Sequence, residues 1–113
     1  MKLKVAQRGS VTVIELEGSL LGGPDASDLN SKLHELIDAG KNHVVIDLGK
    51  VQFINSSGLG LLIGGLSTVK NAGGELKIAN APQKIIELFK VTKLTSLIDS
   101  YSSVPAAVDS FKK

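Results

Sequence analysis

The chain is expected to fold as a single α/β domain, residues 1–113: a mixed β-sheet opened by a hairpin and continued by βα units, with about four helices packed on it. Three observations predict this. Two β-rich runs near the start are separated only by Arg8-Gly9-Ser10, which is turn chemistry and implies a hairpin. Helical apolar stripes then alternate with short β-branched runs, the pattern of βα units around a sheet. Finally, 113 residues are enough to bury one core and leave no room for a second domain.

Leu3-Lys4-Val5-Ala6-Gln7 reads as the first strand. Val11 to Leu16 is the second, with Gly18 ending its pattern. Leu20 to Pro24 is expected to be a loop, after which Asp25 or Ser27 can cap a helix. In that helix Leu29, Leu33, Leu36 and Ile37 form one apolar stripe, and Gly40 is a natural stop. His43 to Leu48 is a nearly continuous apolar strand, suited to a central position buried on both faces. A helix between two strands of one sheet suggests a right-handed crossover and therefore parallel pairing. Val51 to Ile54 leads into Asn55-Ser56-Ser57-Gly58, where a helix begins that should run to about Asn71. Its stripe is Leu59, Leu62, Leu66 and Val69, with Leu61 and Ile63 off it. Gly60, Gly64 and Gly65 weaken this helix, so they are expected to permit close packing on the sheet or a partner. Gly73-Gly74 is a turn, Glu75 to Asn80 an alternating strand, and Pro82 the expected first residue of a helix carrying Ile85, Ile86 and Phe89. Thr95 to Ile98 is a candidate last strand. Val104, Ala107, Val108 and Phe111 form a terminal helical face. One face of the sheet is expected to be better covered than the other.

Composition excludes several function classes. There is no Cys, which removes disulfides, thiolate metal sites and Cys nucleophiles. The net charge is only +2, and the basic residues are scattered apart from Lys112-Lys113, so no nucleic-acid partner is expected. No apolar run follows Met1-Lys2-Leu3-Lys4 as a leader would require, and none is long enough to span a bilayer. The longest uncharged apolar stretch, Phe53 to Val69, is broken by Asn, Ser, Thr and Gly. A cytoplasmic protein with no membrane contact, no cofactor and no metal is expected, as a monomer or weak dimer.

The informative stretch is Asp47-Leu48-Gly49-Lys50-Val51-Gln52-Phe53-Ile54-Asn55-Ser56-Ser57-Gly58-Leu59-Gly60. It sets two hydroxyls at the mouth of a helix, where first-turn N–H groups lack helical partners and the macrodipole favours negative charge. A phosphoryl group on Ser56 would sit near that mouth and change what the surface presents. The same residues also read as plain helix caps: Asn55, Ser56 or Ser57 would serve.

This stretch resembles the signature of the STAS family, in which a strand ending Asp-Leu is followed by an apolar-Asp-Ser-Ser/Thr/Ala-Gly-Leu-Gly segment. The likeness covers nearly the whole chain, including the opening hairpin, the Gly18 turn, the Gly-Gly turn before Glu75 and the Pro82 helix. It is greatest to the stand-alone anti-sigma-factor antagonists of bacterial sporulation and general stress pathways. The resemblance implies a non-enzymatic switch: an anti-sigma factor that doubles as a HATPase-type serine kinase is bound by the unphosphorylated antagonist and released on phosphorylation. The matching acceptor here is Ser56, with Ser57 the second choice. The sequence departs at two places. Asn55 stands where the family usually has Asp, and Leu21 where many members carry another Asp; both changes remove negative charge near the acceptor. The expected partner surface is Leu20, Leu21, Gly22 and Gly23 with Asn55, Ser56, Ser57, Gly58, Leu59, Gly60, Leu61 and Ile63, because loop and helix start should lie side by side at one sheet end. Leu61 and Ile63 could equally pack on neighbouring helices.

Other readings compete with this one. The first keeps the STAS fold as a binding module that is not phosphorylated, in a stress-sensing or lipid-transport complex. A small nucleotide-binding protein is suggested by Gly58, Gly60 and Gly64 after a strand, with Glu75 near the distance of a ribose-binding acid. The spacing is not Gly-x-Gly-x-x-Gly, and no Gly-Lys-Ser/Thr occurs. A hydrolase would need a base beside the serine, and only His34 and His43 exist. Two His without Cys are also a weak case for zinc.

Overall fold

The computed structural model describes residues 2–21, 23–93 and 96–111. Among the described residues, five strands form one sheet in the order β1-β2-β3-β4-β5. They are β1 (Lys2–Arg8), β2 (Val11–Leu20), β3 (His43–Ile54), β4 (Glu75–Ala79) and β5 (Asp99–Tyr101). The helices among the described residues are α1 (Pro24–Asp38), α2 (Ser56–Asn71), α3 (Gln83–Val91) and α4 (Val104–Asp109). β1 pairs antiparallel with β2 across the hairpin, and all later pairings are parallel. Because each crossover steps to the next strand in the same direction, a constant hand brings α1, α2 and α3 onto one face.

That face holds the larger core. Ile14, Leu16, Val44, Ile46, Leu48 and Ile78 of the sheet are fully buried beneath Leu29 and Leu33 of α1, Leu62 and Val69 of α2, and Phe89 of α3. Alternation along the strands sends Val11, Val13, Val45 and Ala79 to the other face, where α4 covers them with Val104, Ala107 and Val108. Phe111 lies beyond the end of α4 and packs on the same cluster. Among the described residues, the second face is covered only at this end. Farther along it, Lys4 lies opposite Glu15, Lys2 opposite Glu17, and the Lys50 ammonium is 3.2 Å from the Glu15 carboxylate. The expected inequality of the two faces is therefore found.

Several boundaries differ from expectation. β2 continues through Gly18 to Leu20, because its pairing with β3 absorbs two register shifts and Gly18 adopts φ 101° inside the strand. β3 likewise runs on past Leu48 to Ile54. At that bend the Gly49 N–H donates to the Asp47 carboxylate (2.9 Å), which also accepts from the Asn80 side chain (3.1 Å). α1 starts at Pro24 after Gly23, with no side-chain cap, so Asp25 and Ser27 lie inside the helix rather than ahead of it. Pro82 is the residue before α3, not its first. The last strand is Asp99–Tyr101, downstream of the expected run, of which Thr95 lies outside the described residues. Among the described residues no helix is long and apolar enough to cross a membrane.

Candidate functional site

Three elements converge at the Leu20 carbonyl. Leu20 ends β2 and pairs with Ile54, the end of β3. The Asn55 N–H donates to the Leu20 carbonyl (3.4 Å), and α2 starts one residue later. Gly58, in the first turn of α2, sits so close that a Cβ there would overlap this same carbonyl. Only glycine lets the helix begin here. The end of β2 and the entrance of α2 are thus neighbours.

Asn55 is the N-cap. Its backbone is extended (φ −109°, ψ −176°), its Oδ1 accepts from the Gly58 N–H (2.8 Å), and its carbonyl accepts from the Leu59 N–H (2.9 Å). Asn supplies the capping oxygen an aspartate would, without the charge. The capping task therefore falls to Asn55 and leaves both hydroxyls uncommitted to it: Ser56 and Ser57 occupy the first two helical positions, and both are exposed. The first turn carries no acidic residue, and no residue from Val51 to Val69 is charged. An anion placed on Ser56 would meet the positive end of the α2 dipole with no fixed negative charge of that turn beside it.

Burial divides the expected surface. Leu21, Gly23, Ser56, Ser57 and Gly60 are exposed, and Asn55 is half-buried. Leu20, Gly58 and Leu59 are buried; they shape the surface from beneath. Gly22 lies outside the described residues. Leu61 and Ile63 are half-buried against the main core, so the packing alternative accounts for part of each. Of the three glycines expected to permit close approach, only Gly65 does: a Cβ there would lie 2.9 Å from Leu33 of α1. Gly60 and Gly64 face open space, and the tightest approach in the helix belongs to Gly58.

Sequence reasoning passes over Phe53, which reads there as part of an apolar lead-in. It is in fact 57% exposed, as large an uncovered aromatic face as Leu21 is an uncovered aliphatic one. The available signal is period: the apolar run Phe53-Ile54 cannot turn both side chains inward from one strand. His34 is exposed on α1, and His43 opens β3, the strand whose far end precedes Ser56; His43 stacks on Phe111 instead (centroids 4.8 Å apart). Among the described residues no group of three His, Cys, Asp or Glu side chains could hold a metal ion.

Comparison with known proteins agrees with this architecture. BtrV of Bordetella bronchiseptica is 27% identical over 112 residues, covering 99% of this chain and 96% of its own. The anti-sigma-B factor antagonist of Bacillus subtilis is 38% identical over 71 residues, 63% of this chain and 64% of that protein. The Bacillus cell fate determinant SpoIIAA, solved in its phosphorylated form, superposes with TM-score 0.75 at 18% identity over 98% of this chain and all of that one, a likeness of fold. The STAS domain family model matches residues 2–107, and the chain belongs to the STAS family.

Proposed function

We propose that the chain is an anti-sigma-factor antagonist whose docking is switched off by phosphorylation of Ser56. The observation that carries this reading is an exposed hydroxyl at the first position of α2, a helix capped by Asn55, in the uncharged segment Val51 to Val69, with Leu21 and Phe53 exposed. It is supported by a curated relative named as an anti-sigma-B factor antagonist and by the phosphorylated form of SpoIIAA.

Unphosphorylated, this surface offers apolar and neutral polar groups that a partner can desolvate at little cost. A phosphoryl group adds a charge of about −1.5 to −2 near neutral pH. The α2 dipole offsets part of it, so the fold tolerates the charge. A docked partner would have to strip water from the dianion or lie against it, and docking is lost. The partner is an anti-sigma factor that is also a HATPase-type serine kinase.

A constitutive binding module is the second reading. It is favoured by Asn55, which keeps the cap but supplies no carboxylate beside the acceptor hydroxyl. Intact-mass analysis after incubation with ATP and each HATPase-type serine kinase of the same genome separates the two. Addition of one phosphate that disappears in Ser56→Ala supports the switch. Addition that persists in Ser56→Ala moves the acceptor to another residue, Ser57 first, and no addition with any kinase leaves the constitutive module.

A further inference from the structure

Phe53 stands at the end of β3, two residues before the Asn55 cap, with more than half its surface in water. It borders a groove of about 310 Å³ between the end of β3 and α3, walled also by Ile54, Pro82, Lys84 and Leu88. Among the described residues, Lys84 is the only charged one on its lining. Ile54 joins the groove to the helix entrance, since its side chain also packs where a Cβ on Gly58 would be (3.1 Å). The groove thus abuts the start of α2, where Ser56 follows Ile54 by two residues.

We propose that this groove seats an apolar segment of the anti-sigma factor that carries a carboxylate opposite Lys84. The inference rests on the antagonist reading and extends its surface beyond the helix entrance. One partner spanning both is argued from two features. The groove abuts the helix entrance at Ile54, two residues from Ser56, so one partner can reach both. The charge that Lys84 brings to its described lining is positive, which complements an acidic residue and would repel a basic one. Exposed aromatic side chains beside a pocket are also the usual anchors of protein interfaces.

The test is calorimetric titration of Phe53→Ser and Lys84→Glu against the purified HATPase-type anti-sigma factors of the same genome, at two salt concentrations. Phe53→Ser should bind about tenfold or more weakly. Lys84→Glu should bind several-fold more weakly at low salt, with the deficit shrinking as salt screens the new repulsion. Neither loss would be one of folding: Phe53 is mostly uncovered, and an acidic side chain in place of Lys84 would suit the first turn of α3. Thermal midpoints like that of the wild type check this. Unchanged affinity in both variants, with the wild type binding, overturns the groove and spares the antagonist reading. A wild type that binds none of these factors overturns both. Self-association that Phe53→Ser abolishes would assign the groove to a second copy of the chain and overturn the proposal.

Discussion

Replacing Gly58 by Ala adds one methyl group at a tightly constrained point of the chain. That carbon would overlap the Leu20 carbonyl and lie 3.1 Å from the Ile54 side chain. The obstacle is backbone, held by the pairing of β2 with β3, so it cannot turn aside as a side chain would. Overpacking of this kind costs about 1–3 kcal/mol. Ala regains at most about 1 kcal/mol of helix propensity. With a backbone obstacle the upper part of the range applies, and the net loss should be about 2 kcal/mol. For a domain near this size that lowers the thermal midpoint by roughly 8 °C. Gly60→Ala is the internal control: it adds the same methyl on the same helix into open space, and should gain about 0.4–1 kcal/mol. Urea unfolding followed by circular dichroism, with the slope unchanged, reads both. A Gly58→Ala variant as stable as the wild type, or a Gly60→Ala variant that loses as much, would refute the convergence of β2, β3 and α2 on one carbonyl.

Asn55→Ala should cost about 1 kcal/mol in the same assay by removing the oxygen that accepts from the Gly58 N–H, whereas Asn55→Asp keeps the cap and should gain about 0.3–1 kcal/mol from its charge at the helix entrance. Phe111→Ala should cost about 1–3 kcal/mol, since this ring lies over the buried Lys77 ammonium (4.3 Å) and stacks on His43; Lys77→Met should cost less in thermal unfolding, because the buried charge leaves with its need for partners. The Lys50 ammonium is held above its usual 10.5, first by the hydrogen bond with Glu15 and then by the Glu15 charge. A raised Lys contributes stability that is complete below 10.5 and lost as pH rises through the folded value. Glu15→Gln should therefore be less stable than the wild type near neutral pH, with the difference closing above 10.5 in unfolding curves measured against pH.

The parts of the fold that local pattern determines were legible. The stripe of Leu29, Leu33 and Leu36 and the run Val44 to Ile46 are buried because their period leaves no other face for a core. What escaped was set by partners distant in the chain. Gly18 has the signal of a strand end, but pairing with β3 carries the strand through it. β3 crosses Gly49 for the same reason, with Asp47 and Asn80 holding the bend. β5 is Asp-Ser-Tyr, which shows no alternation and is a strand only because β4 pairs with it. At the candidate site, residue types showed that Asn55, Ser56 or Ser57 would cap α2, but not that Asn55 takes the task. Which side chains face water could not be read from them either. Leu20 and Leu21 are both leucine, and only the end of the β2 pairing buries one and exposes the other. Phe53 escaped for a related reason, since the groove beside it is made by α3, far along the sequence.

The most direct measurement compares the chain phosphorylated on Ser56 with the unmodified chain in two quantities: thermal midpoint and affinity for the anti-sigma factor. The helix entrance should accept the anion, keeping the midpoint within about 2 °C, while binding falls by about tenfold or more. A midpoint that drops by many degrees, or an affinity that does not change, would contradict a switch in which added charge spares the fold and spoils only the docking.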